Sequence, residues 1–184
     1  MTETLHPSEN MDIWNSVCET DPQYTKGVDT RGGFTSVCAQ SQLQAATKLF
    51  GPYGMGWGVN NIRYQFVDVD KPTTVGKRPK TQKDPEGDPG QVITVREYVE
   101  VIVEGELWYN HPKTGAQCSF PVQTNIRYRE GDDWYKKAVT DMTTKGLSKL
   151  GFNADVFLGK FDDNKYVQEM NAKHSKIKDM MQGK

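Results

Sequence analysis

Asp132–Tyr166 reads DDWYKKAVTDMTTKGLSKLGFNADVFLGKFDDNKY. Tyr135, Ala138, Val139, Met142, Gly146 and Leu150 recur at i, i+3, i+4 and i+7, the spacing that predicts one apolar face of a helix. Asp132 or Asp133 supplies an N-cap carboxylate, and Gly151 stands where a C′ glycine ends such a helix. Away from the stripe lie Lys136, Lys137, Lys145 and Lys149, with Asp141 the one acid among them. Lys137, Asp141, Lys145 and Lys149 fall one turn apart along a single line. Taken by composition alone, that line is a solvated face carrying an i, i+4 Lys–Asp pair.

Working outward, the segments before this helix read as strands. Val59–Val69 and Val92–Tyr109 are rich in β-branched and aromatic residues. In the second, Val99, Val101 and Val103 alternate with Glu100, Ile102 and Glu104, as in a sheet with one buried face. Asn110–Gly115 is a hairpin turn, and Ala116–Arg127 is the returning strand, with Pro121 tolerated at an edge or bulge. Between the first two strands, Lys71–Gln91 carries four prolines and several glycines and is expected to be a long hairpin loop. Its first half holds Lys71, Lys77, Arg78, Lys80 and Lys83 without an acid. That basic tip suits either a binding segment or a solubilising loop.

Upstream, Met11–Cys18 predicts a short amphipathic helix that stops before Asp21-Pro22. Arg31-Gly32-Gly33-Phe34 leads into a short apolar run. Ser41–Leu49 predicts a second helix, with Leu43, Ala46 and Leu49 inward and Ser41 available as a cap. It runs into Phe50-Gly51-Pro52-Tyr53-Gly54-Met55-Gly56-Trp57-Gly58, where glycines permit a tight reversal and Phe50 and Trp57 anchor it in the core. Asp162-Asp163 lacks a third carboxylate and reads as helix capping or a subunit contact. The fold class expected is α+β: an antiparallel three-stranded β-meander packed on a long helix, β-β-β-α. An earlier short helix and a long basic hairpin loop complete it. Residues 1–20 form an N-terminal segment, 21–166 the core domain and 167–184 a polar tail.

Composition narrows the function. The chain has 184 residues, formal net charge −1, and 35% hydrophobic and 26% charged residues. One domain with a real core is expected, and any nucleic-acid surface must come from uneven charge distribution. Cys18, Cys38 and Cys118 are scattered and odd in number, which suits a reducing compartment. No leader or membrane span is expected, so the location expected is cytoplasmic. Catalysis, metal binding and cofactors are not expected. There is no GxxxxGK[ST] phosphate loop, and His6, His111 and His174 lie in a terminus, a turn and a tail.

KKAVTDMTTKGLSKLG resembles the signature helix of the single-strand annealing recombinases, the eukaryotic Rad fifty-two type and the phage Erf and Sak types. The resemblance rests on Lys137-Ala-Val-Thr-Asp141, Lys145, Leu147 and Gly151, with Ala154–Tyr166 similar to the phage branch. The passage FGPYGMGW after a helix is similar to the same proteins' entry into their first strand. The likeness covers roughly Pro22 to Tyr166. It implies an ATP-independent protein, phage-encoded, that binds single-stranded DNA and pairs complementary strands in homologous recombination. Its partners would be single-stranded DNA, the annealed duplex intermediate and further copies of itself in a ring or helical filament. A host single-strand-binding protein is a candidate partner.

Carried over residue by residue, Lys145 and Lys136 match basic DNA-contacting positions. Thr144 and Ser148 replace basic residues of the eukaryotic type, and Lys149 stands one place away. Lys26 is similar to a basic contact on the groove's opposite wall. Charge and position add Lys137 on the helix, Lys77, Arg78 and Lys80 at the loop tip, and Arg31, Arg127 and Arg129. Two other classes remain open: a coating protein that protects single strands without annealing them, and a structural or partner-binding module. Annealing would need no covalent chemistry. Backbone contacts neutralise phosphate and leave the pairing edges free.

Overall fold

The computed structural model describes residues 9–28, 33–78 and 86–181. Its centre is the antiparallel meander β3 (Trp57–Val75), β4 (Gln91–Asn110) and β5 (Gln117–Arg127), in spatial order β3-β4-β5. The β4–β5 turn closes through Gly115 N–H to the His111 carbonyl, 2.8 Å, with Gly115 at φ 67°. Val101, Val103 and Leu107 of β4 and Val122 of β5 alternate onto one face. Across that face lies α3 (Trp134–Lys149), which buries Ala138, Met142 and Leu147 against them. The β-β-β-α architecture expected from the alternation is therefore the architecture present. Ala46 and Phe50 of α2 (Ala39–Phe50), together with Trp57 and Phe152, complete the core.

The approach of α3 to the sheet is set by a missing side chain. A Cβ on Gly146 would lie 2.7 Å from Leu107 Cδ1 and 2.9 Å from Val122 Cγ1, well inside van der Waals contact. Gly146 lets the helix backbone settle directly on β4 and β5. The end of α3 is fixed just as locally. Gly151 takes φ 99°, its N–H donates to the Ser148 carbonyl, and the Phe152 N–H donates back to Leu147. That is a Schellman cap, with its usual apolar contact supplied by the buried pair Leu147 and Phe152.

Two details of the helix differ from expectation. The buried arc is rotated: Thr143 and Leu147 are inside, Leu150 is half-buried and Tyr135 is exposed. The reason is that α3 packs against α2 as well as against the sheet, so its inner face is wider than a single stripe. Asp133 occupies the N-cap position without a side-chain cap bond, and Asp132 pairs with Lys137 instead.

β3 is long because two irregularities keep it in register. Asn60 pairs with Glu106 and Arg63 with Glu104, so one extra residue is inserted on β3 where Asn61 adopts φ 55°. Asparagine tolerates that left-handed conformation better than most residues. The insertion reverses the facing of the strand and turns Tyr64 and Phe66 to the α3 side, opposite Val103 and Val101. A second shift follows Val69. Because β5 ends at Arg127, opposite Glu100, the remainder of β3 and β4 projects as a two-stranded arm. The loop expected over Lys71–Gln91 is correspondingly shorter, since Lys71–Val75 continue β3. Pro72 is accepted there because β3 is an edge strand.

The remaining elements wrap one end of this core. β1 (Thr25–Val28) and β2 (Phe34–Val37) form a separate hairpin that the sequence did not announce. The N-cap position of α2 is Cys38; Ser41, the expected cap, donates its hydroxyl back to the Cys38 carbonyl. In α1 (Asp12–Val17), Trp14 packs on Gly151, where a Cβ would lie 2.7 Å from its ring. After the short α4 (Ala154–Phe157), Asp163 accepts from the Lys165 N–H and caps α5 (Asn164–Met181). The expected division between core and tail at 166/167 falls inside α5.

Gly146→Ala should destabilise the protein despite raising helix propensity. The propensity gain is at most about 1 kcal/mol, whereas overpacking a filled core costs about 1–3 kcal/mol. Urea unfolding should show a lower midpoint with an unchanged slope, and an unchanged midpoint would mean the helix can lift off the sheet freely.

Candidate functional site

A groove follows the solvent side of α3. One section, about 430 Å³, is lined by Ala39, Asp133, Lys136, Lys137, Thr140, Asp141 and Thr144. The next, about 530 Å³, shares Ala39, Asp141 and Thr144 and is walled by Thr35, Ser36 and Val37 of β2 and by Val156 and Phe157 of α4. The floor is thus the helix the sequence singled out, and the opposite wall is the β1–β2 hairpin. Lys26 of β1 is exposed and pairs across that hairpin with Ser36, one of the lining residues.

The expected site residues separate into groups. Lys136 and Lys137 line the groove, while Lys145 and Lys149 continue the same helix as exposed side chains. Their charge is largely answered nearby. Lys137 Nζ lies 2.5 Å from Asp132 Oδ1. Lys145 Nζ is 2.8 Å from Asp141 Oδ2 and 2.9 Å from Thr124 Oγ1, whose hydroxyl also bonds Asp141. Lys149 Nζ donates to the Pro121 carbonyl at 3.3 Å. Lys136, Lys26 and Arg129 make no ion pair among the described residues. The Lys137 partnership lowers the Asp132 pKa, first through the hydrogen bond and further through charge.

Arg127 does not join them. Successive β5 residues point to opposite faces, and Val122 and Thr124 lie on the α3 side, so Arg127 projects from the other face of the sheet. There its guanidinium stacks 3.7 Å over the Tyr98 ring. That face carries Glu100, Glu104 and Glu106 of β4, with Arg63 of β3 paired opposite Glu104. At the hairpin tip, Lys77 is exposed and Arg78 sits 4.0 Å from Asp88, to which its backbone also bonds. Lower on the arm, Lys71 pairs with Glu97 at 3.3 Å and Arg96 with Asp68 at 3.2 Å. Arg31 and Lys80 lie outside the described residues.

Sequence reasoning missed the buried carboxylate of Asp155, only 3% exposed. It accepts from Thr20 N–H (2.8 Å), Thr20 Oγ1 (2.5 Å), Val156 N–H (2.8 Å) and Tyr166 Oη (2.9 Å). Those bonds tie the chain after α1 to α4 and α5. Around them, Lys173 pairs with Glu19, and Lys178 with Asp21 at 3.1 Å. A lone Asp between Ala and Val gives no periodic or spacing signal, which is why it could not be found. This site is structural: every lone pair in use is spent on the protein's own donors. Among the described residues no group of three or more His, Cys, Asp or Glu could hold a metal ion. No helix among them is long and apolar enough to cross a membrane.

No protein-family model matches the chain, and no curated protein matches it in sequence.

Two tyrosines carry the clearest pH signal. Burial, then its bond to Asp155, raises the Tyr166 pKa; burial and then Cys118 raise that of Tyr109 to about 12. An unfolded tyrosine ionises near 10, roughly. The stability these phenols contribute is therefore complete below about pH 10 and lost as pH rises through the higher folded values. Thermal melting of Tyr166→Phe should show a shallower alkaline decline than wild type; an identical decline would place the effect elsewhere.

Proposed function

We propose that the protein binds single-stranded DNA in the groove along α3 and anneals complementary strands without ATP, working as a homo-oligomer in the cytoplasm. The observation that carries this reading is the groove itself. It puts Lys136 and Lys137 on its floor and Lys26 on the hairpin opposite, while Lys145 and Lys149 leave the same helix on its β5 side. The resemblance of this helix to that of the single-strand annealing recombinases supports it, as does the β-β-β-α core. No catalytic residue, metal or cofactor is part of the proposal. Each chain offers few cations, so firm binding requires repetition of the groove in an assembly.

The local ion pairs favour a second reading, in which the helix face is merely solvated and the chain is a structural module. Charge reversal separates the two. Lys149 is exposed, with the Pro121 carbonyl at 3.3 Å and the Phe120 ring at 5.8 Å as its contacts, so Lys149→Glu should change stability by no more than about 0.5 kcal/mol. Lys145 neutralises Asp141; Lys145→Gln avoids facing one carboxylate with another. If the proposal holds, both variants melt close to wild type and bind a single-stranded oligonucleotide more weakly. The salt dependence should also become shallower, its logarithmic slope falling by about one for each phosphate that is no longer neutralised. Wild-type binding and annealing in both variants would take Lys145 and Lys149 out of the site, and the same result for Lys136→Gln would take out the groove floor.

Assembly is tested separately. Sedimentation should show a ring or short filament at micromolar concentration; monomer alone, with and without DNA, would overturn the oligomeric part. Complementary strands mixed with the protein distinguish annealing from coating: coating alone slows pairing.

A further inference from the structure

Beside the groove, the chain gathers five aromatic rings on one surface. Tyr64 and Phe66 come from β3, Tyr128 follows β5, and Trp134 and Tyr135 open α3. Neighbouring centroids lie 5.4–6.4 Å apart, and the interplanar angles run from 64° to 89°. Every contact within the cluster is edge-to-face, so no two rings cover each other in parallel. Tyr64 is 56% exposed, Phe66 48% and Tyr135 48%. Leaving this much ring surface in water is unfavourable, and a solvated edge strand has no structural need for it.

Its surroundings indicate what could cover it. Trp134 and Tyr135 fall between Asp133 and Lys136, both of which line the groove, so the rings and that section of the groove share the start of α3. Arg129 and Lys136 flank the cluster without an ion-pair partner among the described residues. Of the nearby acids, Asp68 is held by Arg96 and Asp132 by Lys137, with the Arg129 charge also acting on Asp132, leaving Asp133 and Glu130. The patch is built of rings rather than of the Leu, Ile, Val and Met that make an aliphatic docking face. Rings next to unpaired cations fit a ligand with both π faces and phosphates.

We infer that Tyr64, Phe66 and Tyr135 form a base-stacking platform, on which bases of a single strand held in the α3 groove lie against the rings while Arg129 and Lys136 meet its phosphates. This inference rests on the proposed DNA binding and adds to it a contact with the bases. Stacking uses the face of a base and leaves its pairing edge open, so it is compatible with annealing. It also tolerates any sequence, because every base has a π face. Duplex, whose bases are already stacked and enclosed, cannot use the platform, so annealed product is released from it.

The test compares oligothymidylate with an abasic deoxyribose-phosphate strand of equal length, using the full-length protein. Wild type should bind the base-bearing strand about tenfold more tightly than the abasic one, with equal salt slopes. Tyr64→Leu and Tyr135→Leu keep apolar bulk at exposed positions but remove the π face. Each should erase most of the preference while leaving the salt slope unchanged, with only a modest drop in melting temperature from the lost ring contacts, and Tyr64→Phe should retain the preference. Equal binding of both strands by wild type, with a normal salt slope, overturns the platform alone. Absence of binding to either strand overturns the proposed DNA binding and the platform with it. Tryptophan fluorescence that changes with protein concentration before DNA is added, a change lost in Trp134→Phe, together with no preference for bases, would assign the patch to a second copy of this chain.

Discussion

The structure depends on one close approach. At Gly146 the backbone of α3 rests on Leu107 and Val122 with no side chain between, and a single added carbon would meet both within 3 Å. Every other placement is referred to that contact. It sets the depth at which Met142 and Leu147 enter the sheet and so turns the lysines outward. It also brings the end of the helix to where Gly151 can reverse the chain and receive Trp14. A helix held by a longer side chain would leave the α1 and α4 segments with nothing to close against.

Charge is organised differently from the core. The apolar contacts are shared among many residues, while the charges are cancelled in local pairs: Lys145 with Asp141, Lys137 with Asp132, Lys71 with Glu97, Arg96 with Asp68. All are solvent-exposed pairs of the sort that contribute about 0–1 kcal/mol each. They hold the fold together weakly, and they can be exchanged cheaply. Releasing Lys145 from Asp141 costs correspondingly little.

How much of this was legible in the sequence depends on the range of the interaction. The meander and its helix were readable because alternation on β4 and the Ala138–Met142–Gly146 spacing are written into consecutive residues. The α3 end was readable because a C′ glycine acts within one turn. Three things were not. Alternation already grouped Tyr64 and Phe66 with Ile62, but the reversal of facing between Val59 and Tyr64 depends on one inserted residue at Asn61, which that pattern does not mark. The true inner arc of α3 depends on α2, a neighbour distant in sequence. Partners such as Asp132 for Lys137, or Asp155 for Tyr166, exist only once the chain has folded. Arg127 shows the same limit from the other side: its charge was plain, but which face of β5 it left from required the register.

The prolines of the sheet have a consequence of their own. Both outer strands carry one, Pro72 on β3 and Pro121 on β5, and both are sheet edges. A stray strand laid along either margin would find a rung without an amide donor. Growth of the sheet along the β3 and β5 margins, a step towards fibrous aggregates, is thereby discouraged, whereas the 91–99 margin of β4 in the arm has no such guard. At those two margins, contact between chains is biased towards side chains, which are selective, and away from main-chain pairing, which accepts almost any sequence.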